Sequence, residues 1–358
     1  MTPLFPAPPR EVCILRLSAI GDVCHVLAVV RTLQQAWPDT RFTWVIGKVE
    51  AKLLGAIPDI EFVVFDKRQG LKAYTGLRRA LKGRQFDLLL HMQLALRASV
   101  AALLIPARIK LGFDRERARE LQWLFTTHRI RPAQRQHVLD GLFGCAERCG
   151  VHDHLLRWDI PVDAVAQAHA VRVIPDGQPT LVISPCSSHP ARNWRPEHYA
   201  AVADHAIGAL GLRVLLCGGP SALEREMGDA ILSRMQQDCL DLIGQDTLPG
   251  LLATLGRATA LLTPDSGPAH MATAVGTPVI GLYAATNPAR SGPYLSRQWC
   301  VDRYDAAARQ FLGKPAADIP WTTKIEKPGV MDLIEPEDVI RKLHAILALE
   351  TRRPGRTP

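Results

Sequence analysis

The sequence predicts an α/β protein built from two doubly wound parallel sheets in tandem. Three observations lead there. The 358 residues exceed what one hydrophobic core usually organises, so two domains are the natural division. Short apolar runs alternate with segments of helical period, the pattern of a parallel sheet covered by helices on both faces. The alternation breaks once, over a Pro-, Asp- and Gln-rich piece at 158–178, and then restarts. The expected division is a domain over 1–170, a second over 171–335, a last helix at 336–350 and a disordered basic tail at 351–358.

In the first half, residues 11–17 form an apolar strand. The helix that follows carries Val23, Val26, Leu27, Val30, Leu33 and Trp37 at helical spacing. Strands are expected at 41–47, 61–66 and 86–92, with a helix over 74–82 between the last two. A helical and irregular stretch, 115–154, leads into the linker. The second half continues with a strand at 180–184, a helix opening at Pro196, a strand at 213–217, and helices over 224–235 and 248–258. It closes with a strand at 260–263, a short helix carrying His270 and a buried strand at 278–283. Residues 302–327, with Tyr304, Lys314 and Trp321, read as surface structure near the ligand cleft.

Composition narrows the class. Hydrophobic residues make up 47% and charged residues 22%, the balance of a soluble globular protein, and no apolar run approaches a bilayer span of about 20 residues. The start, MTPLFPAPPR, has proline where a signal peptide needs an apolar helix, so a cytoplasmic location is expected. The net charge of +8 favours an anionic partner or surface. Nucleic acid, anionic lipid and phosphorylated substrates share that chemistry, but no recognisable nucleic-acid module is present. Eight scattered cysteines read as small buried hydrophobes in a reducing compartment. Cys145 and Cys149 lack the second ligand pair that a zinc site needs, so no metal is expected.

In sheets of this kind ligands sit beyond the carboxyl ends of the strands. The richest such end is TPDSGPAHMATAVGTPVIGLY, where an acid-Ser-Gly-Pro turn opens a helix. The unpaired N–H groups of a helix start suit a phosphate or diphosphate; the plain alternative is that Asp265 or Ser266 only caps the helix. After the first strand, LSAIGDVCH lacks both the G-x-G-x-x-G fingerprint and a P-loop lysine. Asp22 there is either a helix cap or a carboxylate placed to act as a general base. His25, one turn on, lines the cleft or lies at the surface. In SPCSSHPARNW, Ser187 and Ser188 offer hydroxyl and backbone donors, and Arg192 offers a cation suited to phosphate. In LLCGGPSALERE, Gly218 and Gly219 permit close approach of a ligand, and Glu224 suits ribose hydroxyls or else a solvated helix surface. Together these ends describe a pocket for a nucleoside diphosphate.

Three of these segments resemble glycosyltransferase family 9, the bacterial heptosyltransferases of lipopolysaccharide core assembly. LRLSAIGDVCHVLAVVRTLQQAWP matches the family's opening, SPCSSHPARNWRPEHYA its central motif, and TPDSGPAHMATAVGTPVIGLYAATNP its donor motif. The resemblance implies a GT-B fold, two Rossmann-like domains facing across a cleft, with the acceptor held by the first and an ADP-sugar by the second. It implies that Asp22 is the general base and that Ser187, Ser188 and Arg192 contact the diphosphate, although lysine often stands at the Arg192 position. Glu224 falls near the ribose-binding acid and Asp265 matches the acid that contacts the sugar. Ser266, Gly267 and His270 belong to the same donor loop. Inverting, metal-independent transfer from ADP-heptose to a phosphorylated lipopolysaccharide core acceptor is implied as well, at the inner membrane surface. Lys67, Arg68, Arg78, Arg79 and Lys82, with His25, are the candidates for meeting that acceptor; for each basic residue a solvated helix face is the alternative.

Three other functions fit parts of the pattern. The same fold can use a different nucleotide sugar or a protein acceptor. A nucleotide-sugar epimerase shares the tandem sheets, but with differently organised acids and histidines. A non-catalytic nucleotide-sugar-binding protein keeps the pocket without the base.

Overall fold

The computed structural model describes residues 4–350, so the expected tail at 351–358 lies outside the described residues. The described residues divide into two compact units, the first ending at Pro161 and the second beginning at Val162.

The first unit runs β1 (Glu11–Leu15), α1 (Ile20–Ala36), β2 (Arg41–Gly47), α2 (Ala51–Leu54), β3 (Ile60–Phe65), α3 (Leu71–Ala80), β4 (Phe86–His91), α4 (Leu96–Leu103), β5 (Ala107–Gly112), β6 (His128–Arg129) and α5 (Val138–Arg148). All strands pair in parallel, in the order β3-β2-β1-β4-β5-β6. The central strands are apolar on both faces because helices cover both. Helix α1 is buried almost all round, from Val23 to Leu33, and packs against α5. The segment after α5 is sewn onto α1: the Trp158 indole donates to the Cys24 carbonyl at 2.9 Å, and Arg31 donates to the carbonyls of Trp158 and Asp159 at 3.2 and 3.1 Å.

The second unit runs α6 (Ala164–Val173), β7 (Thr180–Ile183), α7 (Pro196–Gly208), β8 (Arg213–Leu216), α8 (Ala222–Leu232), β9 (Leu240–Asp241), α9 (Leu248–Arg257), β10 (Ala260–Pro264), α10 (Gly267–Ala274), β11 (Val279–Tyr283), α11 (Pro288–Ser291), β12 (Val301–Asp302), α12 (Tyr304–Leu312) and α13 (Pro336–Glu350). Its parallel sheet has the order β12-β11-β10-β7-β8-β9. Counted within each unit, both sheets follow the same winding, with the direction reversing beside the first strand: between β1 and β4, and between β7 and β10. That reversal leaves a crevice at the carboxyl ends of those two strands.

Two expectations need correcting. The division falls at Pro161/Val162 rather than 170, because the supposed linker contains α6. Asp163 caps that helix by accepting from Ala166 N at 2.7 Å, and the helix lies along α9, with Arg257 Nε donating to the Ile174 carbonyl at 2.8 Å. The piece 302–327 lies at the surface only in part: Lys314 is exposed and Trp321 half-buried, but Tyr304, Ile319 and Ile325 anchor it in the core of the second unit. All eight cysteines are free and seven are buried, and burial pushes the Cys24 thiol up to about 12. No helix among the described residues is long and apolar enough to cross a membrane.

Candidate active site

In the first unit the crevice between β1 and β4 is lined by the segment 16–22 and by Met92 and Gln93. Arg16 organises it. Its guanidinium donates to the Ser18 carbonyl at 2.8 Å and to the Met92 carbonyl at 2.5 Å, and forms an ion pair with Asp22. Asp22 also accepts from Ala19 N at 3.2 Å, closing the first turn of α1. Both roles read for Asp22 are thus compatible: the carboxylate caps the helix and still stands about one-third exposed (36%) at the crevice. Gln93 ties the two strand ends together, accepting from Leu17 N at 2.7 Å and donating to Ser18 Oγ at 3.3 Å.

Gly47 at the end of β2 is required by close approach: a Cβ there would stand 2.2 Å from the Leu17 carbonyl and 2.4 Å from Glu50 Oε2. Glu50 is a buried carboxyl that the sequence did not reveal. Burial pushes its pKa up, partly offset by its own backbone N–H and by Lys67 and Arg16, and Asp22 is also among its electrostatic neighbours. His25 is neither surface nor free in the crevice. It is buried and packs edge-on against His137, ring centroids 5.4 Å apart. Lys67, Arg68, Arg78, Arg79 and Lys82 are all exposed, on a short turn capped by Asp66 and on and just after α3.

The second crevice gathers the donor-motif residues. Asp265 follows β10, and its carboxylate faces Arg192 NH1 at 3.8 Å and Ser291 Oγ at 3.5 Å. Ser187, after β7, donates its hydroxyl to the Asp265 carbonyl at 2.9 Å and its N–H to Asn193 Oδ1 at 2.7 Å. The Ser187 hydroxyl is therefore spent on joining the two strand ends and its N–H on bracing its own loop at Asn193, while Ser188 is exposed. Ser266 stands at the N-cap of α10 but makes no side-chain cap; its hydroxyl pairs with Thr263 Oγ1 at 2.7 Å. At the start of α10 the Gly267 N–H has no side-chain acceptor among the described residues, Pro268 carries no N–H, and His270 one turn later is buried.

At the end of β8 the glycines make room for a side chain of the protein itself. The space that Cβ atoms on Gly218 and Gly219 would fill is occupied by Glu224, whose oxygens stand 2.9–3.4 Å from the ideal Cβ of Gly219. Ser221 caps α8, its Oγ accepting from Glu224 N at 3.3 Å, and the Glu224 carboxylate folds back over the cap, accepting from Gly219 N at 2.8 Å and from Ser221 Oγ at 2.7 Å. Two further residues were invisible in the sequence. Glu326 accepts from Arg192 Nε and NH2 at 2.9 and 2.6 Å, and Lys324 is an electrostatic neighbour of Arg192, Glu326, Arg290 and Asp265.

A serine, an arginine, an acid and a helix start meeting at one crevice suit a phosphate-bearing ligand. Residues 74–311 match the family model described as glycosyltransferase family 9 (heptosyltransferase). The chain belongs to glycosyltransferase family 9. It is 42% identical to the lipopolysaccharide core heptosyltransferase OpsX of Haemophilus influenzae, over 95% of this chain and 98% of that protein. Its fold matches a glycosyl transferase family 9 structure from Veillonella parvula, with a TM-score of 0.78 and 24% identity over 95% of this chain and 97% of that one. It also matches the Escherichia coli heptosyltransferase WaaC with ADP-2-deoxy-2-fluoro heptose, with a TM-score of 0.64 and 21% identity over 81% of this chain and 97% of that one. The two parallel sheets are those of the GT-B fold, and this family 9 protein is a glycosyltransferase.

Proposed function

We propose that this glycosyltransferase moves a heptose from ADP-heptose to the lipopolysaccharide inner core, with inversion and without a metal. The observation that carries this reading is the second crevice, where Arg192 and the uncapped start of α10 flank Asp265. These groups suit a departing diphosphate, since preorganised donors act most strongly where charge develops. In the first unit Asp22 takes the proton of an acceptor hydroxyl. The oxygen attacks the anomeric carbon opposite the diphosphate, the bond to ADP breaks, and Arg192 with the α10 N–H groups receives the charge. Asp265 serves the sugar hydroxyls rather than the phosphates, because two anions repel. Glu224 has lone pairs left for ribose hydroxyls beyond its two cap hydrogen bonds. Ser188 and His270 complete the donor side.

The acceptor is an anionic lipid at the cytoplasmic face of the inner membrane. Lys67, Arg68, Arg78, Arg79 and Lys82 supply exposed positive charge, and Leu71, 84% exposed, projects among them, a pairing that suits a lipid surface better than free solution. The deciding experiment incubates the purified protein with ADP-heptose and either Kdo-lipid A or heptosylated core, and follows ADP release and product mass, with and without EDTA. One added heptose mass, insensitive to EDTA, supports the reading. ADP-heptose binding without turnover on either acceptor rejects the acceptor assignment.

A further inference from the structure

The donor reading places Arg192 at the diphosphate, and the role assigned below to Glu326 rests on that placement. An arginine binds a diphosphate well only if its planar fork is held at one angle. Arg192 lies in a short turn between Pro190 and Asn193, 13% exposed, and its own turn does not fix the guanidinium. The group that fixes it comes from far along the chain. Glu326 Oε1 accepts from both Nε and NH2, at 2.9 and 2.6 Å, and takes up that edge of the fork. NH1 forms no hydrogen bond among the described residues and points to the turn at Asp265, 3.8 Å from Oδ2.

Glu326 is itself held. The residue before it, Ile325, is buried in the core and its N–H donates to the Ala285 carbonyl at 2.8 Å, just beyond the end of β11. Two residues earlier the Thr323 carbonyl accepts from the buried Tyr304 hydroxyl at 2.9 Å. The backbone on the N-terminal side of Glu326 is therefore anchored to β11 and to α12. We propose that Glu326 is a positioning residue of the donor site, fixing the Arg192 fork so that its NH1 edge meets the diphosphate.

A second carboxylate beside Asp265 works against an anionic ligand, so the placement makes sense only with further positive charge. Lys324, an electrostatic neighbour of Arg192, Glu326 and Asp265, supplies it, with Arg290 close by. His189 faces the other Glu326 oxygen at 3.6 Å. The same carboxylate admits an opposite role, as an internal anion that competes with the diphosphate for Arg192. The anchored backbone favours positioning, because a competitor has to be able to leave.

The test titrates ADP by calorimetry into the full-length wild type and into E326A, E326Q and E326D, with R192A as the background for coupling. E326Q keeps an oxygen acceptor at the same reach and is expected to weaken ADP by less than about threefold. E326A loses the acceptor, and E326D keeps the charge but withdraws it by one methylene; both are expected to weaken ADP by about tenfold, with unchanged melting temperature. In the R192A background none of the three weakens ADP further. Tighter ADP binding by E326A overturns the proposal in favour of competition. Equal binding by E326D and wild type, or the same loss in the R192A background, overturns it as well. A wild type that binds no ADP instead refutes the donor reading on which it rests.

Discussion

Replacing Asp22 with asparagine isolates the proton-transfer step. Asparagine keeps a side-chain oxygen in reach of Ala19 N, now 3.2 Å away, so the first turn of α1 stays closed. Arg16 loses its ion-pair partner but keeps its hydrogen bonds to the Ser18 and Met92 carbonyls, so the crevice keeps its shape. The pair is part exposed at Asp22, where solvent screens it, so its loss costs about 1 kcal/mol of stability at most. Against a total of about 5–15 kcal/mol, the variant remains folded. The catalytic cost is larger: losing a general base lowers turnover by about 10²–10⁴-fold, or roughly 3–5 kcal/mol of barrier. The assay follows ADP release and product mass at saturating ADP-heptose, alongside a melting curve and an ADP titration. The expected result is unchanged ADP affinity, a melting temperature within a few degrees, and transfer lowered by at least about 100-fold. A folded variant that binds ADP and transfers within about threefold of wild type would refute the assignment of the base.

Arg16→Met removes three interactions at once; turnover is expected to fall by about 10²-fold through misplacement of Asp22, while the ADP affinity measured by titration stays unchanged. Buried His91 is pushed below its ordinary 6.5 to about 3, mainly by desolvation, so the unfolded state binds the extra proton between those values. Stability is then full above pH 6.5 and is lost as pH falls toward 3, at up to about 1.4 kcal/mol per pH unit. Urea unfolding of wild type and His91→Gln across that range should show a shallower loss of stability in the variant, which keeps only the contribution of paired carboxylates such as Asp332 and Asp338. Gly281→Ala puts a Cβ 2.6 Å from the ring of buried Tyr283 and 3.3 Å from Cys300 Sγ, and is expected to cost about 1–3 kcal/mol in the same unfolding assay.

The strands that the sequence reveals are the ones dominated by apolar residues: β1, β2, β4, β7, β8, β10 and β11, largely buried, and β3, which is half exposed. β5, ARIKLG, escapes because Arg108 and Lys110 interrupt it, while β6, β9 and β12 are two-residue pairings with no periodicity to read. α6 is rich in alanine and lies among prolines, which hides a helix whose stability comes from docking on α9. In the sites, Asp22, Arg192 and Asp265 are legible because each lies inside a local motif at a strand end. Arg16, Gln93 and Glu326 are not, since what they do depends on partners brought near only by the fold: Arg16 meets Met92 across the first sheet, and Arg192 meets Glu326 at a separation of 134 residues. Glu224 shows the converse. A local motif suggests its ribose role, and the same spacing, Ser221 to Glu224, also spells a helix cap, which the structure contains.

The repeated winding bears on how the chain is made. Every strand pairing of the first sheet lies between Glu11 and Arg129, the most distant joining Val12 to Leu88, and the segment that seals α1 is finished by Asp159. The second sheet draws only on residues from Thr180 onward, with Leu181 meeting Ala260 as its widest closure. Neither sheet waits for a strand from the other. During synthesis the N-terminal half can complete its own sheet while the ribosome is still adding the C-terminal half, so unpaired strand edges are exposed to aggregation for only part of the time that one sheet spanning the whole chain would require.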